Sequence, residues 1–155
     1  MSFYVRSYNI EKLYYWSKNI YQTYFKKGIP WNIDREKLLT LPKISLGYEL
    51  GKFLDKHNFR VEPKLENHDV FHVLTNCGTS VPDEIALQYY LAANGKMSPY
   101  LFMVILTGTV CYPERWSLFL QFFFRGRNAS QFYDLNYEEL LETPTNLIRS
   151  KYSIG

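Results

Sequence analysis

The sequence predicts an all-helical protein that folds as a single bundle, and three observations support this fold class. Apolar residues recur at three- and four-residue intervals in several segments, which is the spacing of an amphipathic helix. No run alternates apolar and polar residues in the manner of a half-buried strand. The chain has 155 residues, 46% of them apolar and 21% charged, which suits one ordinary domain. We therefore expect one helical domain over residues 1–155.

The first predicted helix lies in a basic, aromatic segment, residues 1–31. Within residues 9–25, four apolar side chains recur at helical spacing: Ile10, Leu13, Ile20 and Tyr24. Such an amphipathic helix can lie in a membrane interface, or it can pack on the core of its own domain. The residues themselves leave both interpretations open.

Two further helices and a connector are predicted before the middle of the chain. Asp34 is suited to cap a short helix. After Pro42, four apolar residues share one helical face: Leu46, Leu50, Phe53 and Leu54. Residues 58–67 indicate a connector, and His68 begins a short element that ends in a turn at residues 76–78.

The second half of the chain continues with helical patterns. Residues 83–95 carry acids in the first turn and end in Asn-Gly, so both helix ends have the expected signals. The helix starting at Pro99 is apolar nearly all round, which predicts burial. Residues 114–124 continue helically, and residues 125–130 are expected to break the helix. Asn136 is expected to cap a last helix, with residues 144–149 as a tail.

Composition excludes several classes of protein. The longest apolar stretch, residues 100–112, is shorter than the roughly 20 residues that a spanning helix needs, so we expect no transmembrane helix, and residues 1–12 lead us to expect no secretory signal. Only Cys77 and Cys111 occur, which makes neither a disulfide framework nor a cysteine-rich zinc site. Residues 1–45 hold eight Lys or Arg against three acids, but these are scattered and no nucleic-acid motif is present, so we expect no nucleic-acid partner.

One cluster carries a chemical signature, the H-D-x-x-H pattern of His68, Asp69 and His72, which Glu84 follows after eleven residues. On a helix these three side chains fall at roughly 0°, 100° and 40°, so they can share one side. A short turn would bring Glu84 back towards them. Two imidazoles with one or two carboxylates form a ligand set that suits zinc and also accommodates iron or manganese.

Other interpretations of this cluster stay open from the residues alone. Two histidines beside acids also occur on ordinary solvated helix surfaces. The chain does not match the H-E-x-x-H motif of metalloproteases, because Asp69 occupies the position of the glutamate. The phosphohydrolase HD signature is incomplete, since the only other histidine is His57 in a polar run.

The sequence resembles the coenzyme Q biosynthesis protein 4 family over about residues 41–150. HDVFHVLTNCGTSVPDEIAL is similar to that family's H-D-x-x-H-x(11)-E segment at His68, Asp69, His72 and Glu84. LPKISLGYELGKFL resembles its helix with a small polar residue before Leu-Gly, and the segment from RGRNAS to the closing Pro and Arg is also similar. Asn76 departs from the pattern, because that family commonly has Gly there.

The resemblance implies a peripheral membrane protein, on the cytoplasmic side, that holds a divalent metal and binds a polyprenylated aromatic lipid in an apolar groove. The implied reaction replaces the ring carboxylate of a polyprenyl-hydroxybenzoate by a hydroxyl, an oxidative decarboxylation. The metal would be zinc, with iron or manganese as alternatives. Candidate substrate contacts are Arg125 and Arg127 for an anionic headgroup and Tyr89 and Met103 for the tail.

Two other functions remain open beside the enzyme. The family has also been interpreted as a non-catalytic lipid-binding scaffold for other quinone-biosynthesis proteins, which would not require the metal. A metal-dependent phosphohydrolase is the third possibility. A homodimer is left open as the assembly state.

Overall fold

The computed structural model describes residues 31–61 and 66–155. In these ranges the chain forms seven α-helices and two 3-10 turns, with no strand beyond an isolated bridge between Ser45 and Pro144. The predicted all-helical fold class is thus confirmed for this part of the chain. The predicted helix within residues 1–31 falls almost wholly outside the described residues, so it and the domain bounds 1–155 stay predictions.

The helices follow one another in chain order. They are α1 (Arg35–Leu39), α2 (Leu46–Lys56), α3 (Glu66–Thr75), α4 (Val81–Ala93), α5 (Pro99–Cys111), α6 (Trp116–Asn128) and α7 (Thr145–Tyr152). The 3-10 turns span Pro113–Arg115, directly before α6, and Glu138–Leu140.

Side-chain caps explain where the early helices begin. Asp34 accepts a hydrogen bond from the backbone N–H of Lys37 (2.8 Å), as its sequence position predicts. Ser80 and Asp83 form a reciprocal capping box at the start of α4, with Pro82 in its first turn. This cap matters for function, because it determines where the first turn of α4, including Glu84, begins.

The bundle is organised around α4, which is buried almost all round and packs most extensively against α6. Gly126 on α6 makes this close approach possible, because a Cβ there would lie 2.2 Å from the Tyr90 carbonyl oxygen. At the end of α4, the Asn94 side chain donates to the carbonyl of Ser130 (3.0 Å) and accepts from the N–H of Phe132 (3.0 Å). These contacts hold the chain that follows α6 against the end of α4.

Three predictions about where helices begin and end were wrong. Helix α6 does not break at Arg125 but continues to Asn128, because the buried Gly126 packs against α4 and the helix has to extend through it. The segment after Asn136 forms only the 3-10 turn Glu138–Leu140, whereas the predicted tail forms α7. Helix α3 begins at Glu66, two residues before the predicted start.

Helix α5 is not buried on all sides as its composition predicted. One face packs on α4 through Leu101, Val104 and Gly108, but the described part of the chain leaves the opposite face exposed. The exposed fraction reaches 69% for Leu106 and 75% for Val110. Phe102 and Met103 lie on the same uncovered side, and exposed Trp116 follows at the start of α6. Apolar composition predicts a helix without a polar face, but the number of its neighbours decides how much of it is covered.

Candidate metal centre

Two helices joined by a short turn bring the predicted ligands together. His68 and His72 lie one turn apart on α3, and Glu84 lies in the first turn of α4. The Nε2 atom of His68 lies 3.1 Å from Glu84 Oε2 and 3.1 Å from Nε2 of His72, and the latter lies 3.2 Å from Glu84 Oε1. Among the residues that the structure describes, these three form the group of potential metal ligands, with ligand atoms within 4.8 Å of one another.

The spacing of the three donors fits a metal ion. A tetrahedral zinc at about 2.0–2.1 Å from each ligand places neighbouring ligand atoms about 3.3 Å apart. The two imidazole Nε2 atoms lie 3.1 Å apart, close to that value, and each lies 3.1–3.2 Å from a different oxygen of Glu84, so both carboxylate oxygens face the histidines. The ligand set is also chemically suitable, because imidazole nitrogen and carboxylate oxygen bind zinc, iron and manganese. Three protein ligands would leave a coordination position for another molecule.

Burial differs among the three side chains. The side chain of His72 is 2% exposed and that of Glu84 is 9% exposed, whereas His68 is 14% exposed. The site is therefore most accessible on the side of His68. A carboxylate buried this deeply needs a compensating positive charge, which protons on the imidazoles or a bound cation can supply.

Electrostatics link the carboxylate to the histidines. Burial alone would raise the pKa of Glu84, but the charges and hydrogen bonds of His68 and His72 outweigh it and hold this pKa well below its ordinary value. Burial alone would lower the pKa of His72, but the hydrogen bond and charge of Glu84 outweigh it, so this pKa is raised. Without metal, the site thus favours an ionised carboxylate next to a protonated imidazole.

Asp69 stands beside this group rather than within it. Its side chain is partly exposed, and its negative charge contributes to the raised pKa of His72. The group of converging ligand atoms consists of His68, His72 and Glu84. A direct ligand role for Asp69 stays a prediction.

Cys77 and His57 lie near the site but are not part of the ligand group. Burial raises the pKa of the Cys77 thiol, and its Sγ donates to the carbonyl of Asp83, so this thiol is a structural group. His57 packs its ring on Phe53 at the end of α2. Phe53 in turn stacks on the His72 ring with centroids 5.6 Å apart, a contact that no sequence pattern indicated.

The candidate substrate residues lie in different surroundings. The Arg125 guanidinium donates to the carbonyl of Thr75 (2.6 Å) and to that of Gly155, and it lies over the Phe122 ring. It thus links the end of α3 to the end of the chain, whereas Arg127 is exposed. Tyr89 is buried, stacks on Phe119 and shares a 2.6 Å hydrogen bond with Thr109. Met103 is 42% exposed on α5. Their substrate roles stay predictions.

A second arginine, which was not predicted from the sequence, contacts the same helix end. Arg149 on α7 donates to the carbonyls of Val73 (2.7 Å) and Leu74 (3.0 Å) and to Oδ1 of Asn76 (2.9 Å). Together with Arg125 it occupies the last carbonyls of α3. Its only signal in the sequence was the closing Pro and Arg, because a contact across 73 to 76 residues leaves no local pattern.

Fold and site together define a class of protein: it is all-helical, and two histidines and a glutamate converge where a short turn joins two helices. The family model for "Coenzyme Q (ubiquinone) biosynthesis protein Coq4" matches residues 64–155, more than half of the chain, and the protein belongs to that family. It is accordingly a ubiquinone biosynthesis protein.

A solved structure shows the same fold. It is a crystal structure from Nostoc punctiforme, of a protein whose name assigns it provisionally to ubiquinone biosynthesis. The TM-score is 0.69 at 18% sequence identity, over 83% of this chain and 71% of that one. No curated protein sequence matches this chain.

Proposed function

We propose that this protein catalyses a metal-dependent oxidative decarboxylation in ubiquinone biosynthesis. The substrate would be a polyprenyl-hydroxybenzoate-type precursor, whose ring carboxylate is replaced by a hydroxyl. The observation that carries the proposal is the convergence of His68, His72 and Glu84 within 4.8 Å at a largely buried site. Membership in the Coq4 family supports the pathway, and the ligand geometry supports metal-dependent chemistry.

The three side chains have distinct tasks in this proposal. His68 and His72 offer neutral nitrogen donors, and Glu84 contributes the negative charge that a dication requires. A bound divalent metal, zinc in the first instance, supplies a Lewis acid for the phenolate and carboxylate of the substrate ring. The ring would approach from the side of His68, whose side chain is the most exposed of the three.

The overall change requires an oxidant. Loss of the carboxylate as carbon dioxide breaks the bond between the ring and the carboxyl carbon, and the new bond joins that ring carbon to oxygen. Written for the carboxylic acid, the substrate, water and dioxygen give the phenol, carbon dioxide and hydrogen peroxide: water supplies the hydroxyl oxygen, and dioxygen accepts the two electrons and two protons that the substrate loses. Zinc has no redox chemistry, whereas iron would also be able to transfer electrons itself.

The function is tested in cells that depend on this protein for ubiquinone. We expect the variants His72→Ala and Glu84→Gln to lose ring hydroxylation by more than about 100-fold and to accumulate the carboxylated precursor, since both lose a metal ligand. His57→Ala serves as the matched control, because this histidine lies outside the ligand group. Quinone extracts are quantified by mass spectrometry.

A non-catalytic scaffold is the alternative, and the uncovered face of α5 favours it. A scaffold would bind the polyprenyl lipid or other quinone-biosynthesis proteins through apolar surfaces, and the metal would not be required. Normal quinone synthesis in both metal-ligand variants would therefore overturn the enzyme and support the scaffold.

Membrane association belongs to the same proposal. None of the helices in the described ranges has the length and apolar character needed to cross a bilayer. The outer face of α5, formed by Phe102, Met103, Leu106 and Val110, has no charged residue, and exposed Trp116 and Arg115 lie just beyond it. Tryptophan and a neighbouring cation are typical of a surface that contacts lipid headgroups. We propose that this face lies on a membrane surface, where a polyprenyl substrate is found.

Vesicle flotation tests this surface. The double variant Leu106→Glu, Val110→Glu is expected to bind phosphatidylcholine–phosphatidylglycerol vesicles at least about 10-fold more weakly than wild type, because each change places a charge in the interface. Leu147→Glu is the control, since Leu147 is an exposed leucine on another helix, α7. Unchanged vesicle binding together with loss of a dimer would instead assign the face to a second copy.

A further inference from the structure

The loop that follows α3 contacts His72 from the side opposite the ligand group. The N–H of Cys77 donates to the His72 carbonyl (3.2 Å), and the Cys77 carbonyl lies 3.4 Å from Nδ1 of His72. Because a carbonyl oxygen only accepts, Nδ1 carries the proton in this contact. The other ring nitrogen, Nε2, lies on the side of His68 and Glu84, where its lone pair would coordinate a metal ion.

Asn76 determines the path of this loop. Its φ of 52° lies in the left-handed region, which glycine adopts freely and asparagine tolerates better than most residues. The side chain of Asn76 adds a contact that glycine lacks, because its Oδ1 accepts a hydrogen bond from Arg149 (2.9 Å).

Arg149 connects the helix end to the loop. Its planar guanidinium donates at once to two carbonyls in the last turn of α3, those of Val73 and Leu74, and to Asn76. The relative position of the last turn of α3 and the loop is thereby set by one rigid group. That turn begins directly after His72, and the loop carries the Cys77 carbonyl, which accepts the hydrogen bond from Nδ1 of His72.

We propose that Arg149, acting through Asn76, is a positioning residue that orients the His72 ring for metal binding. The inference rests on the proposed function, because it concerns the same metal site. This positioning role accounts for the asparagine at position 76. Glycine would allow the same backbone conformation, but only a side chain can reach Arg149.

The test compares Arg149→Gln and Asn76→Gly with Lys151→Gln, which removes the same charge from an exposed position on the same helix. Two quantities are measured: the Zn²⁺ affinity by chelator competition, and the exchange-protected Nδ1–H signal of His72 by NMR in metal-free protein. We expect an affinity about 10-fold lower for Arg149→Gln, about 3-fold lower for Asn76→Gly and unchanged for Lys151→Gln. The Nδ1–H signal should weaken in the same order.

A double variant tests the connection between the two residues. If Arg149 acts through Asn76, the combined variant binds Zn²⁺ more tightly than the product of the two single losses predicts. Fully multiplicative losses would overturn this route. Asn76→Gly preserves the backbone conformation, so it keeps the test decisive if Arg149→Gln does not fold.

The outcomes separate this inference from the proposed function. If wild type binds Zn²⁺ and both single variants match it in affinity and Nδ1–H protection, the positioning role is overturned and the metal site stands. If wild type binds no metal, the proposed function fails, and the Nδ1–H signal alone then tests the positioning role. Its loss in the variants then supports the positioning role, and its retention overturns it.

Discussion

Replacing His72 by alanine, or Glu84 by glutamine, is expected to lower the Zn²⁺ affinity by more than about 100-fold while the helical content stays near that of wild type. The reason is that each change leaves two of the three converging donors in place. The largest cost falls on Glu84→Gln, because the carboxylate is the only negative charge within the ligand group. Elemental analysis and chelator competition measure the loss, and circular dichroism reports the fold.

His57→Ala provides the comparison for these variants. It removes a histidine from the same region, but one whose ring packs on Phe53 rather than joining the ligand group. We expect near-stoichiometric metal in this variant and in wild type. Absence of metal from wild type after reconstitution with zinc, iron and manganese would contradict the assignment and favour the scaffold.

Proton competition gives an independent signature of the same site. Glu84 holds the pKa of His72 above its ordinary value, so a metal has to displace a proton that is bound more tightly than usual. The apparent Zn²⁺ affinity of wild type, measured by chelator competition, should therefore keep rising with pH above about 6.5, the ordinary pKa of histidine.

Gly126→Ala is expected to be strongly destabilising although it lies outside the metal site. The added Cβ would lie 2.2 Å from the Tyr90 carbonyl oxygen and 2.9 Å from its carbon, and both belong to the backbone of α4. A flexible side chain could move away, but a helix backbone cannot do so without separating α4 from α6. We expect a loss of about 3 kcal/mol in the free energy of unfolding, measured by denaturant titration.

The control is Gly155→Ala, where a Cβ meets nothing within 4 Å. Its free energy of unfolding should stay within about 0.5 kcal/mol of wild type. A Gly126→Ala variant as stable as this control would show that the α4–α6 contact tolerates a methyl group, and the packing described above would be wrong.

The sequence predicted most helices because their signals are local. Caps and apolar spacing act over three or four residues, so Asp34 and the helix ending at Asn94 were correctly placed. The end of α6 was misplaced for the opposite reason. Glycine has weak helix propensity, so Gly126 suggested a break, and only its contact with α4 explains why the helix continues through it.

The candidate site likewise combines features that follow from local sequence patterns with features that depend on how the helices pack. The i, i+4 spacing of His68 and His72 is a property of any helix, and the turn before Pro82 indicated that Glu84 would return towards them. Neither pattern indicated that Glu84, rather than Asp69, would contact both imidazoles, since that depends on how α3 and α4 pack. The uncovered face of α5 likewise depends on its neighbours and not on its own composition.

The helical class, the histidine spacing and the family could be predicted from the sequence, because short-range patterns or a contiguous motif encode each of them. The identity of the side chains around His72 depends on how the helices pack. The stacking of Phe53, the Cys77 carbonyl and the links through Arg125 and Arg149 join residues far apart in the chain. Such contacts form only when separate helices pack, so no local pattern in the sequence specifies them.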